Sequence, residues 1–118
     1  MLEAQGLATL RANWRSSGGE VDIIAIDRRT LVAVEVKTRH CCLKASYPAL
    51  GAVTNEKRDR LRRLIRSFVR NNGPLCRRLA LRGERVDAIE IYYEKTWFGS
   101  IKVVETAWHR GLIQNSSH

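Results

Sequence analysis

The 118-residue sequence predicts an α/β domain built on a mixed sheet. Three observations carry that reading. Leu31 to Thr38 is rich in Val and alternates with a period of two. The four residues Asp27-Arg28-Arg29-Thr30 join it to Glu20–Asp27, which alternates well enough to be an antiparallel neighbour. Leu61, Leu64, Ile65, Phe68 and Val69 then recur at helical spacing, and another strand-like run, Arg85 to Tyr93, follows. A helix between two strands serves as a crossover and lays the later strand beside an earlier one.

Taken in order, residues 1–5 read as the end of a helix stopped by Gly6. Leu7 to Arg15 is an irregular first strand ending in Asn13-Trp14-Arg15, and Ser16-Ser17-Gly18-Gly19 is a turn. Along the Val-rich strand, alternation places Leu31, Ala33, Glu35 and Lys37 on one face and Val32, Val34, Val36 and Thr38 on the other. Residues 39–53, with Tyr47-Pro48 and Gly51, form a long loop. Thr54 is a fitting N-cap for a helix that runs to about Arg70 and is closed by Asn71-Asn72-Gly73-Pro74. Residues 75–84 show no clear period. Lys95 to Ser100 is a turn, and Ile101 to Val104 a short last strand. Residues 1–108 form one domain and 109–118 a loose tail.

Lys and Arg total 21 against 12 Asp and Glu, a net charge of +9. Most of these cations lie outside residues 20–38, so the surface as a whole favours a polyanionic partner. No apolar run approaches the roughly 20 residues that cross a bilayer. The start lacks the basic and apolar regions of a signal peptide, which points to the cytoplasm and away from membranes. Cys41, Cys42 and Cys76 are odd in number and lack metal-ligand spacing, so they read as reduced thiols. The aromatics form no stacking series and read as core or loop packing, and His40, His109 and His118 are scattered without metal-spaced partners.

Three charged residues interrupt otherwise apolar strands: Asp22, Glu35 and Lys37. Glu35 and Lys37 share a face, roughly 6–7 Å apart along the strand. The hairpin brings Asp22 directly or diagonally across from Glu35. Two readings fit. One is an ion pair on an exposed sheet face. In the other, the two carboxylates hold a hard cation such as Mg²⁺ or Mn²⁺, and the lysine assists water attack on a phosphodiester.

Asn13-Trp14-Arg15, Gly18-Gly19-Glu20-Val21-Asp22 and Val34-Glu35-Val36-Lys37-Thr38-Arg39 resemble the YraN family. That family is related to Holliday junction resolvases and to the PD-(D/E)XK nucleases. The similarity continues through Pro48, Ala52-Val53-Thr54, Lys57 and Arg60-Leu61, then Arg85-Val86-Asp87, and ends near Ala107-Trp108. It implies a restriction-endonuclease-like mixed sheet with flanking helices. It also implies Asp22 and Glu35 as metal ligands and Lys37 as the catalytic lysine. Glu20, two residues from Asp22, is either a further ligand or an exposed acid at a strand start. Thr38 and Arg39 are expected to support the site or touch phosphate. Family members begin with a longer helix carrying a Gly-Glu motif. This chain starts at that helix's end, so its N-terminal helix reads as truncated and apolar sheet surface as uncovered.

On the long helix, Arg58, Arg62, Arg63, Arg66 and Arg70 spread over the side away from the apolar stripe. There they either track phosphates or form a solvated face. Lys57 falls on the sheet-facing arc, either reaching the site or snorkelling at a helix end. The expectation is a metal-dependent endonuclease acting on DNA, including branched or junction DNA. A nucleic-acid-binding module of the same fold without turnover is the alternative. No small-molecule cofactor is expected, and a homodimer would suit two cuts on a symmetric junction.

Overall fold

A computed structural model describes residues 6–40 and 55–111. Seven elements follow in the order β1 (Ala8–Ser16), β2 (Gly19–Asp27), β3 (Thr30–His40), α1 (Asn55–Asn71), α2 (Gly73–Arg78), β4 (Gly83–Lys95) and β5 (Ile101–His109). The strands make one five-stranded sheet in sequence order. β3 and β4 are parallel, and every other neighbouring pair is antiparallel. The expected mixed sheet is therefore present, with α1 in the connection that makes the parallel pair.

The two faces of β3 separate as its alternation requires. Leu31 and Ala33 join Val21, Ile24 and Val86 under α1, whose Leu61, Leu64, Ile65 and Phe68 are buried there. Trp14 meets Phe68 edge-on, with ring centroids 5.4 Å apart and planes at 82°, a geometry that aromatic quadrupoles favour. At the helix end, Asn72 Nδ2 donates to Phe68 O at 3.0 Å and satisfies a terminal carbonyl.

On the opposite face, Ala25, Val32, Val34, Ile89 and Leu7 are buried, with Ile23, Val36, Ile91 and Trp108 packed around them. The expectation of uncovered apolar surface is not met at the sheet centre. This face is also tied by charge. Asp87, wholly buried, accepts two hydrogen bonds from Arg85, at 2.9 and 3.0 Å. It accepts others from Trp108 Nε1 at 3.0 Å and from the backbone N–H of Gly111 at 2.9 Å. Arg85 reaches over β3 to Asp27 at 2.9 Å. Burial pulls the guanidinium pKa down, but hydrogen bonding to Asp87 and Asp27 outweighs it, and the pKa is raised. The carboxylate thus joins β4, β5 and the residues beyond.

Several boundaries move. β3 extends to His40, where the loop was expected to have begun, and β4 runs on to Lys95. The unclassified stretch holds α2, opened by Pro74 in its first turn. β5 continues to His109, and Gly111 is anchored on Asp87, so residues 109–111 belong to the domain and not to a tail. Residues 1–5, 41–54 and 112–118 lie outside the described residues, and with them the truncated helix, Cys41, Cys42, Pro48 and the Thr54 cap. Cys76 is buried and free, its thiol pKa pushed up by that burial. No helix among the described residues is long and apolar enough to cross a membrane.

The alternation of β2 is broken at one point. Val21 and Ile24 both enter the core under α1, while Ile23 enters the opposite one. Strict alternation would put Val21 with Ile23, so the period slips by one residue at Asp22. In β1, Ala12 pairs with Ile23 and Trp14 with Val21. The residue between them, Asn13, has φ +52. Asparagine tolerates this left-handed region better than most residues. Asn13 thus kinks β1 where β2 slips.

Asn13→Gly should be near neutral in urea unfolding, whereas Asn13→Val should cost about 1–2 kcal/mol, the left-handed penalty. Asp87→Ala should cost about 3–5 kcal/mol by stranding Arg85. Trp108→Phe, which removes one neutral donor, should cost nearer 1 kcal/mol.

Candidate functional site

The β2–β3 ladder runs from Asp27–Thr30 to Ile23–Val34 and stops there. The next residues in that register are Asp22 and Glu35. Asp22 Oδ2 instead accepts the backbone N–H of Val36 at 2.8 Å. A side-chain carboxylate thus takes the place of a strand carbonyl, and Val36 keeps a satisfied donor. This contact and the slip at Asp22 hold the half-buried aspartate at the end of the ladder, beside Glu35.

Glu35 is 6% exposed, so its charge requires compensation. Two lysines supply it. Lys37 Nζ lies 3.5 Å from Glu35 Oε2. Lys57 Nζ, from the first turn of α1, contacts the same oxygen directly. The inward placement read from the helical wheel is the observed one. The two ammonium groups are unequal. Lys37 is lowered below the usual lysine range, chiefly by its hydrogen bond with Lys57 and then by burial, which Glu35 only partly offsets. Lys57 loses to burial first, yet its bonds to Glu35 and Lys37 leave it raised. The asymmetry makes Lys57 the standing counter-ion of Glu35 and Lys37 the group closer to giving up its proton.

Other expected residues are placed elsewhere. Glu20 pairs with Arg15 at 3.4 Å. Among the described residues, no three His, Cys, Asp or Glu side chains gather closely enough to hold a metal ion. The possible donor set is therefore Asp22 and Glu35. The Asp22 bond uses Oδ2, and both lysine contacts use Oε2 of Glu35. Oδ1 and Oε1 are the oxygens that a hard cation would take. Two carboxylates completed by water and phosphate oxygens suit Mg²⁺ or Mn²⁺ and not a thiolate- or imidazole-seeking ion.

Two residues that the sequence reading passed over form the next layer of the site. Glu90 stands beside Lys37 in the β3–β4 register and is wholly buried. It accepts from Arg39 Nε and Tyr92 Oη, both at 3.1 Å, and His109 Nε2 lies 3.0 Å from its other oxygen. Arg39 is thus held against the sheet and His109 is drawn in from β5. A signal was present: Asp87 and Glu90 are acids within an apolar strand, and each must be paired if buried. Their partners His109 and Trp108 come from β5, and that register is not written in either strand. His40 packs edge-on against Tyr93, with centroids 5.4 Å apart.

The helix arginines divide by position. Arg62 lines a cavity with Leu31, Gly83 and Glu84, and Arg66 pairs with Glu84 at 3.6 Å. Both therefore sit near the starts of β3 and β4, the end of the sheet away from Lys37. Arg58 is half-buried. Arg60, Arg63 and Arg70 instead flank a hollow of about 210 Å³ against Ser16-Ser17-Gly18, at the turn into β2. Gly19, at φ +137, approaches Arg60 there. These three are the exposed cations on the flank where β2 enters the site.

Comparisons with known proteins place the chain in a family. The profile described as Uncharacterised protein family UPF0102 matches residues 1–91. A UPF0102 protein of Leifsonia xyli is 46% identical over 90 residues, covering 76% of this chain and 70% of the relative. One from Beutenbergia cavernae is 40% identical over 90 residues, again covering 76% and 70%. One from Caldicellulosiruptor saccharolyticus is 40% identical over 92 residues, covering 77% and 71%. The profile match takes in Asp22, Glu35, Lys37, Lys57 and Glu90, and stops before the end of β4. By a match over most of its length, the chain belongs to the uncharacterised protein family UPF0102, the YraN family.

Proposed function

We propose that this protein is a metal-dependent phosphodiesterase, an endonuclease acting on DNA, with Asp22, Glu35 and Lys37 as its catalytic residues. The observation that carries the reading is the end of the β2–β3 ladder. The Asp22 carboxylate binds the amide of Val36, next to Glu35, and Lys37, its pKa lowered, lies 3.5 Å from Glu35. A bare ion pair needs one acid and one base. It does not need a second lysine from a helix on the same carboxylate.

In this reading Asp22 and Glu35 hold Mg²⁺ or Mn²⁺, which would polarise a phosphoryl oxygen and acidify bound water. Lys37 orients the attacking water and takes or shares its proton. Lys57 holds the Glu35 carboxylate in place until substrate arrives. Glu90 holds Arg39 beside Lys37, where its guanidinium meets a phosphate oxygen of the strand. Arg60, Arg63 and Arg70 follow the backbone past the start of β2. Branched or junction DNA is the substrate class that the family resemblance favours.

A second reading has its own support. Only two carboxylates gather here among the described residues, and both lysines already neutralise one of them. A domain with that balance binds nucleic acid without turnover.

The discriminating assay is cleavage of labelled linear and four-way DNA in Mg²⁺ or Mn²⁺. Lys37→Ala and Asp22→Asn should each lower the rate by about 100-fold or more, and EDTA should abolish it while binding persists. Binding that is steep in salt, with no cleavage sensitive to Lys37→Ala, decides for the second reading. Under either reading, Arg60→Ala and Arg63→Ala should weaken binding on all sequences and each lower the logarithmic salt slope by about one.

A further inference from the structure

The strongest feature outside the site is the β4–β5 hairpin. Trp97 and Phe98, consecutive residues at its tip, are 94% and 89% exposed. Core or loop packing was the reading from the sequence, and the structure exposes both rings instead. The turn that presents them is well built: Thr96 N donates to Ser100 O at 2.7 Å, Gly99 N to Thr96 O at 2.9 Å, and Ser100 N to Thr96 Oγ1 at 3.1 Å. Gly99 adopts the φ of +84 that this turn requires. Two large aromatic rings are therefore held out in water on an ordered support, at a solvation cost that nothing within the described fold offsets.

Position and charge indicate what they meet. β3 and β4 are parallel, and Glu35 and Lys37 lie in the second half of β3. The hairpin therefore projects from the same end of the sheet as the candidate site. From Glu90, level with Lys37, to Lys95 is about 17 Å at ~3.3 Å per residue, and the tip lies beyond. The exposed Lys95 and Lys102 bracket the tip with no acid between them, and Glu94 stands opposite Lys102 on the side away from the tip. The profile match ends at residue 91, before the tip of the hairpin.

We propose that the β4–β5 hairpin is a nucleic-acid arm, whose Trp97 and Phe98 stack on bases left unpaired at a branch or strand end while Lys95 and Lys102 meet the adjoining phosphates. Every base offers a ring face, so such contacts select for unpaired structure and not for sequence. The arm then sets which phosphodiester reaches Lys37: one roughly five or six nucleotides from the unpaired bases, at ~3.4 Å per nucleotide. This inference rests on the nucleic-acid reading above and adds the residues that would recognise unpaired bases.

The test uses the full chain in Ca²⁺ and fluorescence anisotropy on two DNAs of equal length, one forked with unpaired arms and one fully paired. The double variant Trp97→Ser/Phe98→Ser, altered only at exposed positions, should lose about 10- to 100-fold in affinity for the forked DNA and little for the duplex. Trp97→Phe should retain most of the preference, and forked DNA should quench Trp97 emission in the wild type. Equal binding of the double variant and the wild type to both DNAs overturns the arm while leaving the nucleic-acid reading intact. A double variant that instead loses self-association in sedimentation, or binding to anionic vesicles, with its DNA preference unchanged, also overturns it. Failure of the wild type to bind either DNA removes the nucleic-acid reading and the arm with it.

Discussion

The hydrogen bond from Val36 N to Asp22 Oδ2 stands where the β2–β3 ladder would otherwise continue. Most of what is distinctive in the domain depends on the ladder ending there. An antiparallel pair that carried on would bury Asp22 and Glu35 face to face, two like charges at cross-strand distance. Ending it requires the exposed amide of Val36 to find another acceptor. Asp22 supplies that acceptor, and its reach is set by the slip in β2 that Asn13 accommodates from β1. The tripeptide Asn13-Trp14-Arg15 therefore acts at two levels: Trp14 anchors the strand on Phe68, and Asn13 turns the next strand.

Beyond that point the electrostatics are a matter of compensation inside an apolar sheet. Glu35, Asp87 and Glu90 are all buried, and each has cationic or hydrogen-bonding partners on its own face. Asp87 and Glu90, three residues apart on one strand, serve opposite faces. Asp87 closes the structural face through Arg85 and Trp108. Glu90 organises the functional face through Arg39 and His109. The difference between them is access. Asp87 is surrounded by its donors, whereas the Glu90 partners Arg39 and His109 are both about one-fifth exposed in their side chains. A buried acid with partly exposed partners can hold those partners toward a phosphate.

Much of this was legible in the residues. Period two in Leu31–Thr38 correctly put Glu35 and Lys37 on one face, and the wheel correctly turned Lys57 inward, because both inferences use only local geometry. Glu20 was left open between a further ligand and an exposed acid at a strand start, and the fold pairs it with Arg15. The arginine row on α1 was left open between a phosphate track and a solvated face. It divides because a helix spanning the sheet has two ends, and only one lies near Lys37. His109 and Trp108 were unreadable as partners, since their roles depend on a cross-strand register with β4 that neither strand encodes by itself. β5 was cut short at Val104 for a related reason: Glu105-Thr106-Ala107-Trp108-His109 is weakly alternating and is held as a strand by what Asp87 and Glu90 offer it.

The same reasoning explains why the far end of that hairpin looks so different from its base. Near the sheet, β5 is secured by two buried carboxylates, through Trp108 and His109. Toward the tip, Ile101, Val103 and Val104 are exposed, and a bulge between Tyr92 and Tyr93 disturbs the pairing. A bulge twists an edge away from flat pairing with another chain, so the exposed apolar edge is guarded against indiscriminate strand addition while the turn at 96–100 stays ordered. Two demands are met at once: the base of the hairpin is held fixed against the candidate site, and its end is kept in water without becoming a sticky edge. A hairpin with no partner would satisfy the second demand more simply by ending in polar residues. That it ends in Trp97 and Phe98, between two lysines, is why its function is sought in a ligand with both ring faces and negative charge.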